Sequence, residues 1–181
     1  GSEMCIRDRI NIHDPNIDEE SYLQVVYRKT ACLFEASGHT SALLAEASQE
    51  HQEGIIEYGK QLGIAFQLID DALDYSASPE VLGKNLGDDL AEGKPTLPII
   101  HAILNCSSQE KEVIHTAIEN GDLSKLSVIQ EIIEITGAIQ YTTNRAQEAA
   151  DKAVAAIKSI PESKYKKALI SIASSSVNRQ T

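Results

Sequence analysis

The chain has 181 residues, 42% of them hydrophobic and ten of them glycine, which is the balance of a globular protein and excludes general disorder. Its 27 acidic against 16 basic residues give a net charge of −11, arguing against nucleic acid or an anionic membrane as the default partner. No apolar run approaches the roughly 18 residues a membrane-spanning helix requires, and three unpatterned cysteines (Cys5, Cys32, Cys106) fit a reducing compartment, hence a cytoplasmic protein.

Gly1–Arg9 shows neither a signal-peptide layout nor a helical period, and is expected to be a non-native or disordered start to a body running over residues 10–181. Residues 11–17 carry loop chemistry. Asp18 then caps a helix to about Ala47, with Leu23, Val26, Tyr27, Leu33 and Phe34 in apolar register. Ser48 caps the next, from about Gln49 to Tyr75, whose stripe is Ile55, Ile56, Gly59, Leu62, Gly63, Phe66, Ile69 and Leu73. Residues 76–94 read as a connection with at most one helical turn, around Glu80–Leu82, and Pro95–Cys106 as a short apolar helix. Ser107 with Glu110 forms a capping box for a helix ending at Asn120-Gly121. Helices over about 123–136 and 138–158 divide near Gly137, and Pro161 opens a last one to about Val177. No alternating strand pattern competes. The fold class is all-α.

The acidic excess is concentrated. Seven carboxylates (Asp70, Asp71, Asp74, Glu80, Asp88, Asp89, Glu92) and only two lysines fall between residues 70 and 94. On a 3.6-residue period Gln67, Asp70, Asp71 and Asp74 project from one side of a helix, and like charges at that spacing repel. A cation removes the penalty, and hard oxygen ligands suit Mg²⁺, which takes one or two carboxylates, several waters and substrate phosphates. A bare Asp-Asp-x-x-Asp is more often a solvated acidic face. Here the preceding stretch Gly63–Ile69 is nearly all apolar, and Gly83-Lys84 and Gly93-Lys94 set two ammonium groups on flexible backbone nearby. Lysine acts on phosphate as a point charge, so a carboxylate–metal–diphosphate–lysine sandwich satisfies every charge in the neighbourhood.

Three motifs in order then carry a resemblance. Phe66-Gln67-Leu68-Ile69-Asp70-Asp71-Ala72-Leu73-Asp74-Tyr75 resembles the second aspartate-rich motif of the trans-isoprenyl diphosphate synthases. Gly83–Pro98 is similar to the segment that follows it there, and Tyr27-Arg28-Lys29-Thr30-Ala31-Cys32-Leu33-Phe34 to the family's Lys-Thr motif. The likeness runs from about Ile10 to the end of the chain and is nearest to long-chain bacterial members.

The resemblance implies an all-α isoprenoid-synthase bundle and a Mg²⁺-dependent condensation of isopentenyl diphosphate with an allylic diphosphate. The product implied is a long-chain, octaprenyl-like diphosphate for isoprenoid quinone side chains. By motif position Asp70, Asp71 and Asp74 bind metal, with Asp70 and Asp74 the more direct ligands. Lys29, Lys84 and Lys94 hold the allylic diphosphate, Thr30 and Gln67 line the reacting centre, and Phe66 sits near the isopentenyl group. Metal and lysine charge then stabilise a departing anion in a dry cavity. A homodimer is the family-like assembly of the full-length enzyme.

The sequence also departs from the family. It contains no first aspartate-rich motif with its paired arginines, so the bundle is expected to be incomplete in its N-terminal half and the chain inactive alone. The alternative is a non-catalytic subunit that completes a site with another chain, while a terpene cyclase fits the Lys-Thr and Gly-Lys motifs poorly. His13, His39, His51, His101 and His115 show no metal-ligand spacing. Cys32 and Cys106 read as small core residues, and Lys164, Lys166 and Lys167 as a solvated helix face.

Overall fold

The computed structural model describes residues 12–76 and 86–178. Gly1–Arg9, the expected turn around Glu80–Leu82, and Lys84 lie outside the described residues. The secondary structure is helical throughout them: α1 (Glu19–Val26), a π-helical turn (Tyr27–Ala31), α2 (Cys32–Leu44), α3 (Gln49–Ser76), α4 (Asp88–Ala91), α5 (Leu97–Asn105), α6 (Ser108–Asn120), a 3₁₀ turn (Leu123–Lys125), α7 (Leu126–Ile135), α8 (Ala138–Ala156) and α9 (Lys164–Val177). Among the described residues no helix is long and apolar enough to cross a membrane.

Most boundaries follow from local chemistry. The Ser48 hydroxyl accepts from the His51 backbone N–H at the start of α3. Both halves of the Ser107–Glu110 capping box form at α6, and Gly121 ends that helix in the left-handed region at φ 61°. Gly137 does the same between α7 and α8 at φ 66°.

Three expectations are corrected. The helix begun at Asp18 does not run evenly to Ala47, because the π turn inserts an extra residue per turn at Tyr27–Ala31. That rotates the apolar register, so Tyr22, Val26 and Ala31 are buried whereas Leu33 is 60% exposed. Pro161 does not open α9. Ser163, in an extended conformation, accepts from the Lys166 backbone N–H at 3.1 Å, so the helix starts only at Lys164. Finally, α4 is a single turn inside the segment read as a connection, too short to leave a periodic signal.

The described chain divides into two units. One takes in residues up to Val25 and Asp70–Thr143, the other Val26–Ile69 and Asn144 onward. The first packs around α5, whose Leu97, Pro98, Ile99, Ile100, Ala102 and Ile103 are all buried while Leu104 near its end is exposed. Ile114, Ile118, Ile129 and Ile133 from α6 and α7 close on it. Cys106 lies at the edge of this core, only half-buried.

In the second unit α3 supplies Tyr58 and Leu62 against Ala153, Ile157 and Ala173. Its close approach to the π turn and α2 depends on glycine. A Cβ on Gly59 would fall 2.5 Å from the Phe34 carbonyl oxygen, and one on Gly63 2.5 Å from the Ala31 Cα.

Candidate active site

The π turn carries Lys29 and Thr30. Widening the helix there frees backbone that an α-helix would lock, and the Cys32 thiol takes up the Arg28 carbonyl oxygen at 3.0 Å. Cys32 is therefore half-buried and engaged with the turn rather than part of the core. Lys29 is exposed. Thr30 donates its hydroxyl to the Gln67 Oε1 at 2.7 Å, so the buried glutamine amide has a fixed orientation. Beside it the half-buried Phe66 ring meets Phe34 at a centroid distance of 6.0 Å.

Phe34 also edges two grooves within this unit. The larger, about 770 Å³, is lined by Leu33, Phe34, Tyr58, Leu62, Tyr165 and Leu169, among others. The smaller, about 370 Å³, is lined by Phe34, Leu62, Phe66 and Ile172 with three serines of α9.

One turn further along α3, Asp70, Asp71 and Asp74 continue the face that Gln67 begins. Their surroundings differ. Asp70 and Asp74 are half-buried, whereas Asp71 is 4% exposed and accepts from the Tyr22 hydroxyl at 2.5 Å. Asp74 accepts the Asp89 backbone N–H on Oδ2 at 3.1 Å, so it caps the start of α4, where Gly87 adopts φ 79°. Burial, then the charges of Asp89 and Asp88, push the Asp74 carboxyl up to about 6, although the same two residues' N–H groups oppose the rise. Lys94 lies 3.8 Å from Asp89 and pairs with Glu92. Burial works against its charged form, but Glu92, Asp89 and Asp71 outweigh it and raise its pKa above the ordinary value.

Thus Thr30, Gln67 and Phe66 come together in one unit, and Asp71, Asp74 and Lys94 in the other, with α3 running through both. Two participants escaped the sequence reading. Asp89 was visible only as charge, because its approach to Asp74 depends on the α4 turn. Tyr22 is 49 residues from Asp71 and had only its four-residue spacing from Val26 to mark it.

Among the described residues no three His, Cys, Asp or Glu side chains converge tightly enough to cage a metal ion unaided. The donor set nevertheless fits magnesium. It consists of hard oxygens only, and burial, with the charges of Asp89 and Asp88 behind it, makes Asp74 resist ionisation, a penalty that a divalent cation would relieve.

The chain belongs to the polyprenyl synthetase family, whose model matches residues 4–136. It is 47% identical to the octaprenyl diphosphate synthase of Haemophilus influenzae over 98% of this chain and 54% of that protein. The identity to the Escherichia coli octaprenyl diphosphate synthase is also 47%, over 94% of this chain and 53% of the relative. A polyprenyl synthase from Caulobacter crescentus, crystallised with calcium and isoprenyl diphosphate, superposes with a TM-score of 0.92 at 37% identity, covering 99% of this chain and 56% of that one. The chain therefore spans about half the length of the relatives it matches.

Proposed function

We propose that this chain supplies the second aspartate-rich half of a prenyltransferase that condenses isopentenyl diphosphate with an allylic diphosphate into a long-chain, octaprenyl-like product. The observation that carries the reading is the Asp74–Asp89–Lys94 assembly, an acidic cluster with a raised carboxyl and a lysine 3.8 Å from Asp89. The 47% identity to octaprenyl synthases supports the product class.

In this reading Asp70 and Asp74 hold the magnesium, and Asp71 stands behind them. When bound, the magnesium supplies positive charge against the diphosphate. Lys29, Lys84 and Lys94 neutralise diphosphate oxygens as point charges. The allylic C–O bond breaks and its electron pair leaves with the diphosphate. The isopentenyl double bond then forms the new C–C bond, and loss of a proton restores an alkene. Thr30 keeps the Gln67 amide oriented beside the reacting carbons, and Phe66 faces the isopentenyl group. The grooves bounded by Phe34 are apolar and suit hydrocarbon. The reading carries with it a cytoplasmic enzyme whose full-length form is a homodimer.

A bound diphosphate in this family engages two aspartate-rich helices, and the 181 residues contain one. The test is incorporation of labelled isopentenyl diphosphate into an allylic primer, by the chain alone and after mixing with a polypeptide carrying a first aspartate-rich motif. The expected result is no turnover alone and Mg²⁺-dependent turnover in the mixture. Turnover by the chain alone overturns its incompleteness, and an associated but inert mixture overturns prenyl transfer. Undiminished turnover with Asp74→Asn in the mixture assigns the chain a non-catalytic role instead.

A further inference from the structure

Two phenols are sunk in the unit that holds the aspartates, and they behave differently. Tyr22 of α1 and Tyr75 of α3 are 4% and 3% exposed. Burial first, and nearby carboxylates second, raise both well above the ordinary phenol range. The Tyr75 hydroxyl faces Thr96, yet neither group makes a hydrogen bond of standard geometry among the described residues. The Tyr22 hydroxyl instead donates to the Asp71 Oδ2.

A buried carboxylate without a donor is costly, and a phenol satisfies it without adding charge. The geometry does more than satisfy Asp71. Tyr22 ties the aspartate-bearing end of α3 to α1. We infer that Tyr22 is a positioning residue that fixes Asp71 against α1 and leaves Asp70 and Asp74 to meet the cation. This rests on the reading of the aspartate-rich turn as a metal–diphosphate site. Partners one step removed from a metal commonly change affinity by about 10–100-fold when lost.

The test is Mn²⁺ binding in the presence of inorganic pyrophosphate, followed by electron paramagnetic resonance on the 181-residue chain and four variants, with thermal unfolding alongside. Tyr22→Phe is expected to weaken Mn²⁺ binding about tenfold, and Tyr75→Phe, which deletes an equally buried hydroxyl, to leave it unchanged. Asp71→Asn keeps an acceptor for the phenol, so its binding stays nearer the unmodified chain than that of Asp74→Asn. Asp71→Asn binding as poorly as Asp74→Asn makes Asp71 a ligand and overturns the inference, even if Tyr22→Phe does not fold. Equal losses in both tyrosine variants, or no loss in Tyr22→Phe, overturn it as well. Undiminished binding in Asp74→Asn, or none in the unmodified chain, fails at the metal site itself and takes the inference with it.

Discussion

Lys166 shows how far a side chain's surroundings can depart from its neighbours in sequence. Of Lys164, Lys166 and Lys167, only Lys166 is buried, and its ammonium group donates to the Ile160 carbonyl at 2.7 Å and the Lys158 carbonyl at 3.1 Å, with Glu162 2.8 Å away. Those carbonyls lie just past the end of α8, where no intrahelical partner remains for them. Lys166→Ala strands both carbonyls, and it is expected to lower unfolding stability by about 2 kcal/mol, whereas Lys167→Ala, exposed on the same helix, changes it by under about 0.5 kcal/mol. Urea denaturation of the two variants checks this; equal midpoints would return Lys166 to the solvated face the sequence implied. The same distinction governs the site. Thr30, Gln67, Asp70, Asp71 and Asp74 were legible because each sits in a local motif. Tyr22, Asp89 and Lys166 were not, because their partners are brought by distant or irregular chain: α1 meeting α3, the one-turn α4, and the bend before α9.

At the scale of elements, caps and stops carried the most information. Ser48, the Ser107–Glu110 pair, Gly121 and Gly137 each satisfy or end a helix through groups adjacent in sequence, so their spacing sufficed. The π turn could not be read this way. It is one residue of excess within an otherwise unbroken helical stretch, and only the crossing of α3 over it, at Gly59 and Gly63, shows why the backbone widens there. That crossing separates two uses of glycine. At Gly63 a methyl group collides with backbone that cannot yield, so Gly63→Ala is expected to cost about 3 kcal/mol, the upper end for overpacking. Gly137 has open space around its Cβ direction and needs only its positive φ. Gly137→Ala therefore costs about 1 kcal/mol from left-handed strain alone. Thermal unfolding of both variants decides the order. Because the π turn carries Thr30, Gly63→Ala should also disturb the Thr30–Gln67 hydrogen bond, visible as a shift of the Gln67 side-chain amide resonances, which Gly137→Ala leaves in place.

For the whole chain, the apolar surface and the net charge oppose each other. A net charge of −11 favours dispersal in solution through mutual repulsion. Against it stand large apolar side chains left open on α2 and α9: Leu33 at 60% exposure, Leu44 at 82% and Tyr165 at 70%. Leu33 and Tyr165 also border the larger groove. Scattered single leucines are ordinary on a protein surface, but a groove with exposed apolar rims is a surface that gains by being covered. The two effects respond oppositely to salt. Screening confines the repulsion to about 10 Å at 0.1 M ionic strength and to a shorter range at higher salt, while apolar burial persists. Sedimentation of the chain is therefore expected to show concentration-dependent association that strengthens from low to moderate salt. Leu33→Ser combined with Leu44→Ser should reduce it, since these side chains are already exposed and their loss leaves no cavity. A chain that stays monomeric across that salt range would show that charge repulsion outweighs the open apolar rim.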